Sequence, residues 1–223
     1  MNDHPPLRII NGRVTDPANG AGGARELFVA DGRVVTELSS AQASQARTID
    51  ADKQCVMPGA IDMHTHVASR GVAMAEALDE ASGLVPAARQ TGLDYARLGI
   101  TTVIDAAVPP AESAFAHDRL DAMPNVDSGF LVEIGNDREL LRALAREGEA
   151  AAVAHLGQLL DDTGALGLKA VNPGLTDDLD APLDETGLTP RALLRLAAQA
   201  VETYDLAHPL HVHAPLLGEP GNV

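Results

Sequence analysis

Apolar and polar residues follow two different patterns along this chain, one before and one after residue 58. In the first 58 residues, short apolar runs alternate with turn pairs such as Asn11-Gly12 and Asp31-Gly32. Such pairs favour hairpins, because both central positions of a tight turn need a positive φ. The pattern predicts a small all-β segment over residues 1–58.

From residue 59 onward, strand-like apolar runs alternate with helix-like stretches. The predicted strands cover 60–66, 100–105, 129–134, 166–171 and 210–214, and the predicted helices cover 84–98, 111–123, 137–147, 149–160 and 189–204. Strict alternation of this kind predicts parallel strands joined by crossover helices, which is an α/β fold. We expect residues 59–223 to form one domain of this type.

Composition limits both the core and the partners. Hydrophobic residues make up 45% of the chain and aromatic residues only 2%, so we expect an aliphatic core of helices packed on strands. The net charge of −16 makes nucleic acid and anionic membrane surfaces poor partners, because the field repels phosphate. No apolar run is long enough to span a membrane, and the one cysteine cannot form an internal disulfide. We expect a cytoplasmic protein.

The clearest chemical signal is the pair of histidines in His64-Thr65-His66, at the end of the first predicted parallel strand. Side chains at positions i and i+2 of a strand point to the same face, so both imidazoles share a face, and Asp62 is predicted to share it too. Two imidazole nitrogens on one face are the beginning of a metal site, although a single His-x-His is common by chance. Further ligands should therefore recur at the ends of neighbouring strands.

Lys169, His211 and His213 meet this requirement. In a parallel barrel the catalytic groups lie at the C-terminal ends of the strands, and a barrel of roughly 250 residues uses about 31 residues per strand–helix unit. On that spacing Lys169 falls on the fourth strand and the two histidines fall on the fifth. An unpaired lysine inside an apolar strand is costly to bury, so Lys169 is predicted to be functional.

Two stretches, VMPGAIDMHTH at 56–66 and GITTVID at 99–105, resemble the amidohydrolase superfamily, whose members carry a metal-binding (β/α)8 TIM-type barrel and a small β-sandwich. Within it, residues 11–20, 168–174, 211–213 and 217–222 resemble the A subunits of formylmethanofuran dehydrogenase and of the bacterial formyltransferase/hydrolase complex. The resemblance implies that the chain holds about five strand–helix units of such a barrel. A segment of the small β-sandwich would precede them.

The resemblance also implies a dinuclear zinc site. His64 and His66 would bind the more buried of two Zn²⁺ ions, and Lys169, carboxylated on its ε-nitrogen, would bridge both ions. His213 is the first choice for the ligand of the second ion, and His211 is the second choice. Asn172, shortly after the fourth strand, is a candidate contact to the substrate.

The activity that the resemblance implies is hydrolysis of a formamide. A formylated furan carrier similar to formyl-methanofuran would be converted to formate and a free amine, in one-carbon metabolism and in a complex with other subunits. The zinc ions would supply hydroxide at neutral pH and polarise the formyl oxygen. Two alternatives stay open: hydrolysis of a cyclic amide, as in dihydropyrimidinase and dihydroorotase, and a non-catalytic assembly subunit that keeps half a barrel.

The superfamily pattern also needs a histidine on the sixth strand and an aspartate on the eighth. Too few residues follow His213 to supply them. The chain is therefore expected to be the N-terminal part of a longer enzyme and to be inactive on its own. An unpaired edge at the fifth strand and an uncovered apolar face would be association sites, so we expect poor behaviour in solution.

Overall fold

The computed structural model describes residues 4–79, 86–135, 138–171, 178–183 and 186–214. The chain divides after Gly59 into two compact units. The candidate substrate contact Asn172 and the stretch 217–222 lie outside the described residues. Within the described ranges, no helix is long and apolar enough to cross a membrane.

Within the described residues, the first unit contains two small sheets, one short α-helix and a 3-10 helix at Pro17–Asn19. Its elements are β1 (Leu7–Ile10), β2 (Arg13–Asp16), β3 (Ala21–Ala24), β4 (Leu27–Ala30), β5 (Arg33–Val35), α1 (Ser40–Gln45), β6 (Arg47–Asp50) and β7 (Cys55–Val56). One sheet has the strand order β5-β4-β1-β6 and the other has the order β3-β2-β7. Helix α1 departs from the all-β prediction, although the capping box of Ser39 and Gln42 that starts it is a recognisable sequence signal.

Only one of the two turn pairs behaves as predicted. Asp31 and Gly32 have φ values of 52° and 74° and join the antiparallel strands β4 and β5, which confirms that hairpin. The hairpin prediction at Asn11-Gly12 is wrong, because β1 and β2 belong to different sheets. A Cβ at Gly12 would lie 2.6 Å from Val56 Cγ2, so close packing against β7 accounts for this glycine.

The second unit has the predicted alternation of strands and helices. Its elements are β8 (Ala60–Thr65), α2 (Arg70–Leu78), α3 (Ala88–Arg97), β9 (Ile100–Val108), α4 (Ser113–Asp121), β10 (Asp127–Glu133), α5 (Arg138–Arg146), α6 (Glu149–Thr163), β11 (Gly167–Val171), α7 (Pro190–Thr203) and β12 (His211–His213). The five strands are all parallel, in the order β12-β11-β10-β9-β8. The α/β fold class with five strand–helix units is thereby confirmed, and α2 is the helix that the pattern missed.

Small aliphatic side chains fill the core of this unit, as the composition predicts. One cluster lies beneath α3 and α4 and includes Val103, Phe130 and Leu120. The other lies beneath α5, α6 and α7 and includes Val132, Leu156, Leu168, Leu193 and Ala197. Helices thus cover one face of the inner strands, which leaves the opposite face and the strand ends available for a site.

Helix α7 begins at the residues that the sequence indicates. Thr189 is the N-cap, its hydroxyl accepts a hydrogen bond from Ala192 N at 3.2 Å, and Pro190 is the first helical residue. We expect Thr189→Ala to lower the free energy of unfolding by about 1 kcal/mol, because the amide of Ala192 loses its acceptor. Urea unfolding measures the change. Thr189→Ser keeps the hydroxyl and should unfold like the wild type, and equal stability of both variants would contradict this role.

Candidate metal centre

The two edge strands of the parallel sheet bring their histidines into contact. His64 on β8 and His211 on β12 are separated by four strand positions, yet His64 Nδ1 lies 3.0 Å from His211 Nε2. Their ring centroids are 4.9 Å apart, and those of His64 and His66 are 5.4 Å apart. Such contacts require a strongly curled sheet, as in half of a barrel, with imidazoles on its concave side.

Lys169 is buried next to this cluster. On β11 it pairs in register with Glu133 of β10 on one side and with His211 on the other. The residue is 1% exposed, and within the described part of the chain its Nζ makes no hydrogen bond. Burial lowers the pKa of Lys169, and the charge of Glu133 opposes this effect. A buried amine of this kind lacks the partner that a structural lysine normally has.

The same surroundings keep the imidazoles neutral. Partial burial, followed by the charges of Lys169 and His66, lowers the pKa of His64, whereas Asp62 raises it. Burial, followed by the charges of Lys169 and His64, lowers the pKa of His211 to about 4. Neutral imidazoles carry the lone pair that a metal ion needs, so both residues are competent ligands at neutral pH.

The spacing of these nitrogens suits a divalent metal ion. Metal–nitrogen bonds of about 2.0–2.1 Å in a tetrahedral site hold two ligand nitrogens roughly 3.3 Å apart. The 3.0 Å between His64 Nδ1 and His211 Nε2, which is also a hydrogen-bond distance, is close to this separation. Lys169, whose Nζ has no hydrogen-bond partner among the described residues, is the register neighbour of His211. Among the residues that the structure describes, no group of three or more His, Cys, Asp or Glu could hold a metal ion. The two imidazoles supply only part of the ligands that such an ion needs.

The two candidate ligands on β12 differ in their surroundings. His211 contacts His64 directly, whereas His213, two residues further on, acts on the pKa of His64 through its charge. His213 pairs in register with Val171 at the end of β11. The geometry thus makes His211 the histidine of β12 that contacts His64, and the choice between His213 and His211 as the ligand of the second ion stays a prediction.

Asp62 does not share the face of the histidines, so that prediction is wrong. The pairing of β8 with β9 shifts register between Asp62 and Thr65, which interrupts the simple alternation of side chains. Asp62 pairs with the buried Val103, its Oδ2 lies 3.4 Å from the Tyr95 hydroxyl, and its Oδ1 accepts from His64 N at 3.1 Å. The carboxyl group therefore faces α3.

Three residues near the site were missed. Glu133 and Asp105 are acidic residues in apolar strands, and this placement was a usable signal because a buried carboxyl group needs partners. His208 is the third, since its Nε2 lies 3.4 Å from His211 Nδ1. By contrast, His117 bonds to the carbonyl oxygen of Thr163 at 2.8 Å, as expected for a structural histidine.

Comparison with known proteins places the chain in a family. No family model matches it. Protein FwdA of Methanocaldococcus jannaschii is 34% identical over 240 residues, which cover 96% of this chain and 42% of FwdA. The A subunit of the formyltransferase/hydrolase complex Fhc of Methylorubrum extorquens is 34% identical over 237 residues, covering 96% of this chain and 43% of that protein. The chain belongs to the family of these two proteins.

A solved structure from the same family has the same fold. The crystal structure of the complex FhcABCD from Methylorubrum extorquens with methylofuran matches with a TM-score of 0.85 and 33% identity, over 97% of this chain and 44% of that chain. The sequence-based resemblance to this family is confirmed. The chain spans less than half the length of the curated relatives it matches.

Proposed function

We propose that this chain provides the first part of the metal site of a formamide hydrolase, which releases formate from a formylated furan carrier in one-carbon metabolism. One observation carries the proposal. His64 and His211 meet next to a buried lysine, Lys169, at the level of Glu133, the C-terminal residue of the parallel strand β10. In a parallel barrel this end of the strands is the catalytic end.

His64, His66 and His211 would hold divalent cations, zinc by preference, and His213 would be an additional ligand. Imidazole nitrogen suits zinc among the common metals. When bound, such cations lower the pKa of water and polarise a carbonyl oxygen, which is the chemistry that amide hydrolysis needs. The pKa values of His64 and His211 are both lowered, which favours neutral rings that can offer a nitrogen lone pair to a cation.

Lys169 would be carboxylated and bridge two cations. Burial favours the neutral amine of Lys169, and only a neutral amine can form a carbamate with carbon dioxide. One N–C bond forms and one proton leaves the nitrogen, and Glu133, the register neighbour of Lys169, is the candidate acceptor of this proton. The carbamate would replace a buried amine, which makes no hydrogen bond within the described residues, by an anion that pairs with metal ions.

The partners and substrate of the whole protein are part of the proposal. The related protein of Methylorubrum extorquens assembles in FhcABCD, whose crystal structure contains methylofuran. We propose that this chain, with the remainder of its protein, assembles with comparable subunits and acts on a comparable carrier. Asn172, which follows β11 directly in the sequence, is retained as a proposed substrate contact.

The proposal is tested with the complete protein in its complex. We expect formate to be released from a formylated furfurylamine, and we expect a zinc chelator to reduce the rate to that of the uncatalysed reaction. Added Zn²⁺ should restore it, because the cation supplies both the nucleophile and the polarisation of the carbonyl. Formate is measured with a coupled enzyme assay, and dihydroorotate serves as the cyclic-amide comparison. Release of formate that resists metal removal would refute the metal-site proposal.

A further inference from the structure

We propose that Asp105 and Ser69 are positioning residues for His66, which hold its imidazole in the Nδ1–H form so that Nε2 carries the lone pair for a cation. The inference deepens the proposed function. It rests on that function only for the binding of a cation by His66, and the orientation of the ring is a separate claim. Three groups are involved: the carboxyl of Asp105, the hydroxyl of Ser69 and the loop between β8 and α2.

The carboxyl group of Asp105 is fully buried at 0% exposure and has three hydrogen-bond donors. Its Oδ2 accepts from Ala68 N at 2.6 Å, and its Oδ1 accepts from Ala107 N at 3.2 Å and from the hydroxyl of Ser69. Its Oδ1 also lies 3.8 Å from His66 Nδ1. A buried carboxyl with this many donors is fixed in position, and it directs negative charge towards one side of the His66 ring.

The hydroxyl of Ser69 connects the carboxyl group to the imidazole. Ser69 is the N-cap residue of α2, but its side chain makes no capping hydrogen bond, although serine is a preferred capping residue. Its single proton is instead donated to Asp105, and its oxygen lies 3.4 Å from His66 Nδ1. Because the only hydroxyl proton is used, this oxygen can only accept from the ring, so His66 Nδ1 must carry the hydrogen.

The backbone of the loop is held on its other side by a buried arginine. Arg119 of α4 donates from Nε to the carbonyl oxygen of Val67 at 2.5 Å, and its guanidinium also pairs with Glu76 of α2. The loop is thus fixed at Val67 by Arg119 and at Ala68 by Asp105. This rigidity lets a single hydroxyl set the orientation of the neighbouring ring, because the chain cannot move to compensate.

The Ser69→Ala variant distinguishes a role of Ser69 in orienting His66 from a role in supporting the loop. The variant removes the contact to His66 but leaves the hydrogen bonds from Ala68 N and Ala107 N to Asp105 in place. Ser69→Thr keeps a hydroxyl at the same position and is the rescue variant. Ser44→Ala, at an exposed serine on α1 in the other unit, is the matched control.

The experiment has two measurements on the complete protein, one without metal and one with Co²⁺. Nitrogen–proton correlation spectra of the metal-free complete protein should show the Nδ1–H form of His66 in the wild type, the Ser69→Thr variant and the Ser44→Ala variant. They should show a shift towards the Nε2–H form in Ser69→Ala. The dissociation constant for Co²⁺, followed by its visible absorption, should rise roughly 10–100-fold in Ser69→Ala only.

The outcomes distinguish this inference from the proposed function. A Ser69→Ala variant with an unchanged tautomer overturns the positioning role, whatever its stability. A tautomer shift in a chain that does not bind Co²⁺ supports the positioning of His66 and contradicts the metal site. If Asp105→Asn lowers the unfolding temperature without changing the His66 tautomer, Asp105 only supports the loop and the inference fails.

Discussion

Lys169→Met is expected to make the metal-free chain more stable by about 1–4 kcal/mol, while it abolishes formate release by the complete enzyme. The amine of Lys169 is buried without a hydrogen bond among the described residues, so folding removes a charge from water or forces it to lose its proton. Methionine fills a similar volume with an apolar side chain. The gain in stability would show that the lysine is retained for function at the expense of the fold.

The pH dependence of this difference follows from the lowered pKa of Lys169. The unfolded chain holds the lysine proton up to its ordinary pKa of 10.5, whereas the folded chain releases it at a lower pH. Between these two pKa values the unfolded state binds more protons, so the stability of the wild type increases with pH. The advantage of Lys169→Met should therefore be largest below the folded pKa and become smaller as the pH approaches 10.5.

The only other lysine in the chain provides a matched control. Lys53 is exposed in the first unit, and Lys53→Met should change neither the stability nor its pH dependence by a measurable amount. Urea unfolding at several pH values measures both variants. With only two lysines, labelling with ¹³C-carbon dioxide and zinc should give one lysine carbamate signal besides any signal of the N-terminal amine, and the lysine signal should disappear in Lys169→Met alone. A destabilised Lys169→Met chain, or a lysine carbamate signal that survives in it, would contradict the assignment.

The sequence predicts the parallel sheet well, because the signals are local. β-branched runs and the helix-capping residue Thr189 can each be recognised from a few consecutive residues. Helix α2 was missed because it starts with Arg70-Gly71 and no side chain caps its N-terminus. Its Glu76 forms an ion pair with Arg119 of α4, a contact between residues far apart in the sequence. The hairpin predicted at Asn11-Gly12 failed for a similar reason. Parallel pairing of β1 with the distant β6 overrides the local turn preference.

The residue types of the site could be predicted, but their geometry could not. Spacing on strands identified His64 and Lys169, which the structure brings to the same end of the sheet. The bulge in β8 is invisible in the sequence, and it moves Asp62 to the opposite face. The roles of Glu133 and Asp105 depend on neighbours in strands far apart in the sequence. Only the register of the sheet places Glu133 beside Lys169.

The isolated chain is expected to self-associate through the two edges of the parallel sheet. Strands β8 and β12 are the edge strands, and Ile61 and Val212 on them are 60% and 42% exposed. On the inner strands, Val103, Leu131 and Leu168 are at most 1% exposed. Unpaired parallel edges that carry exposed apolar side chains are sites for pairing with another chain.

Charged substitutions at the edges test this expectation. Burial of one such side chain contributes about 1.5–3 kcal/mol, so Ile61→Lys or Val212→Lys should each weaken self-association by roughly 10–100-fold. Sedimentation velocity over a range of concentrations measures the change. Leu98→Lys is the control, because Leu98 is 77% exposed at the C-terminus of α3 and does not belong to a strand. Self-association that all three variants reduce equally would point to a general charge effect.

The same edges should also pair with strands of a suitable partner polypeptide. This chain matches 43% of the Fhc relative from Methylorubrum extorquens, so the remaining part of that protein is a candidate partner. Co-expression of this chain with that remaining part should give a defined heterodimer at the expense of self-association, because both partners then bury edge strands. The Ile61→Lys and Val212→Lys variants should lose this heterodimer as well. A wild-type chain that remains monomeric and unfolds in one sharp thermal transition without a partner would show that its edges need no covering.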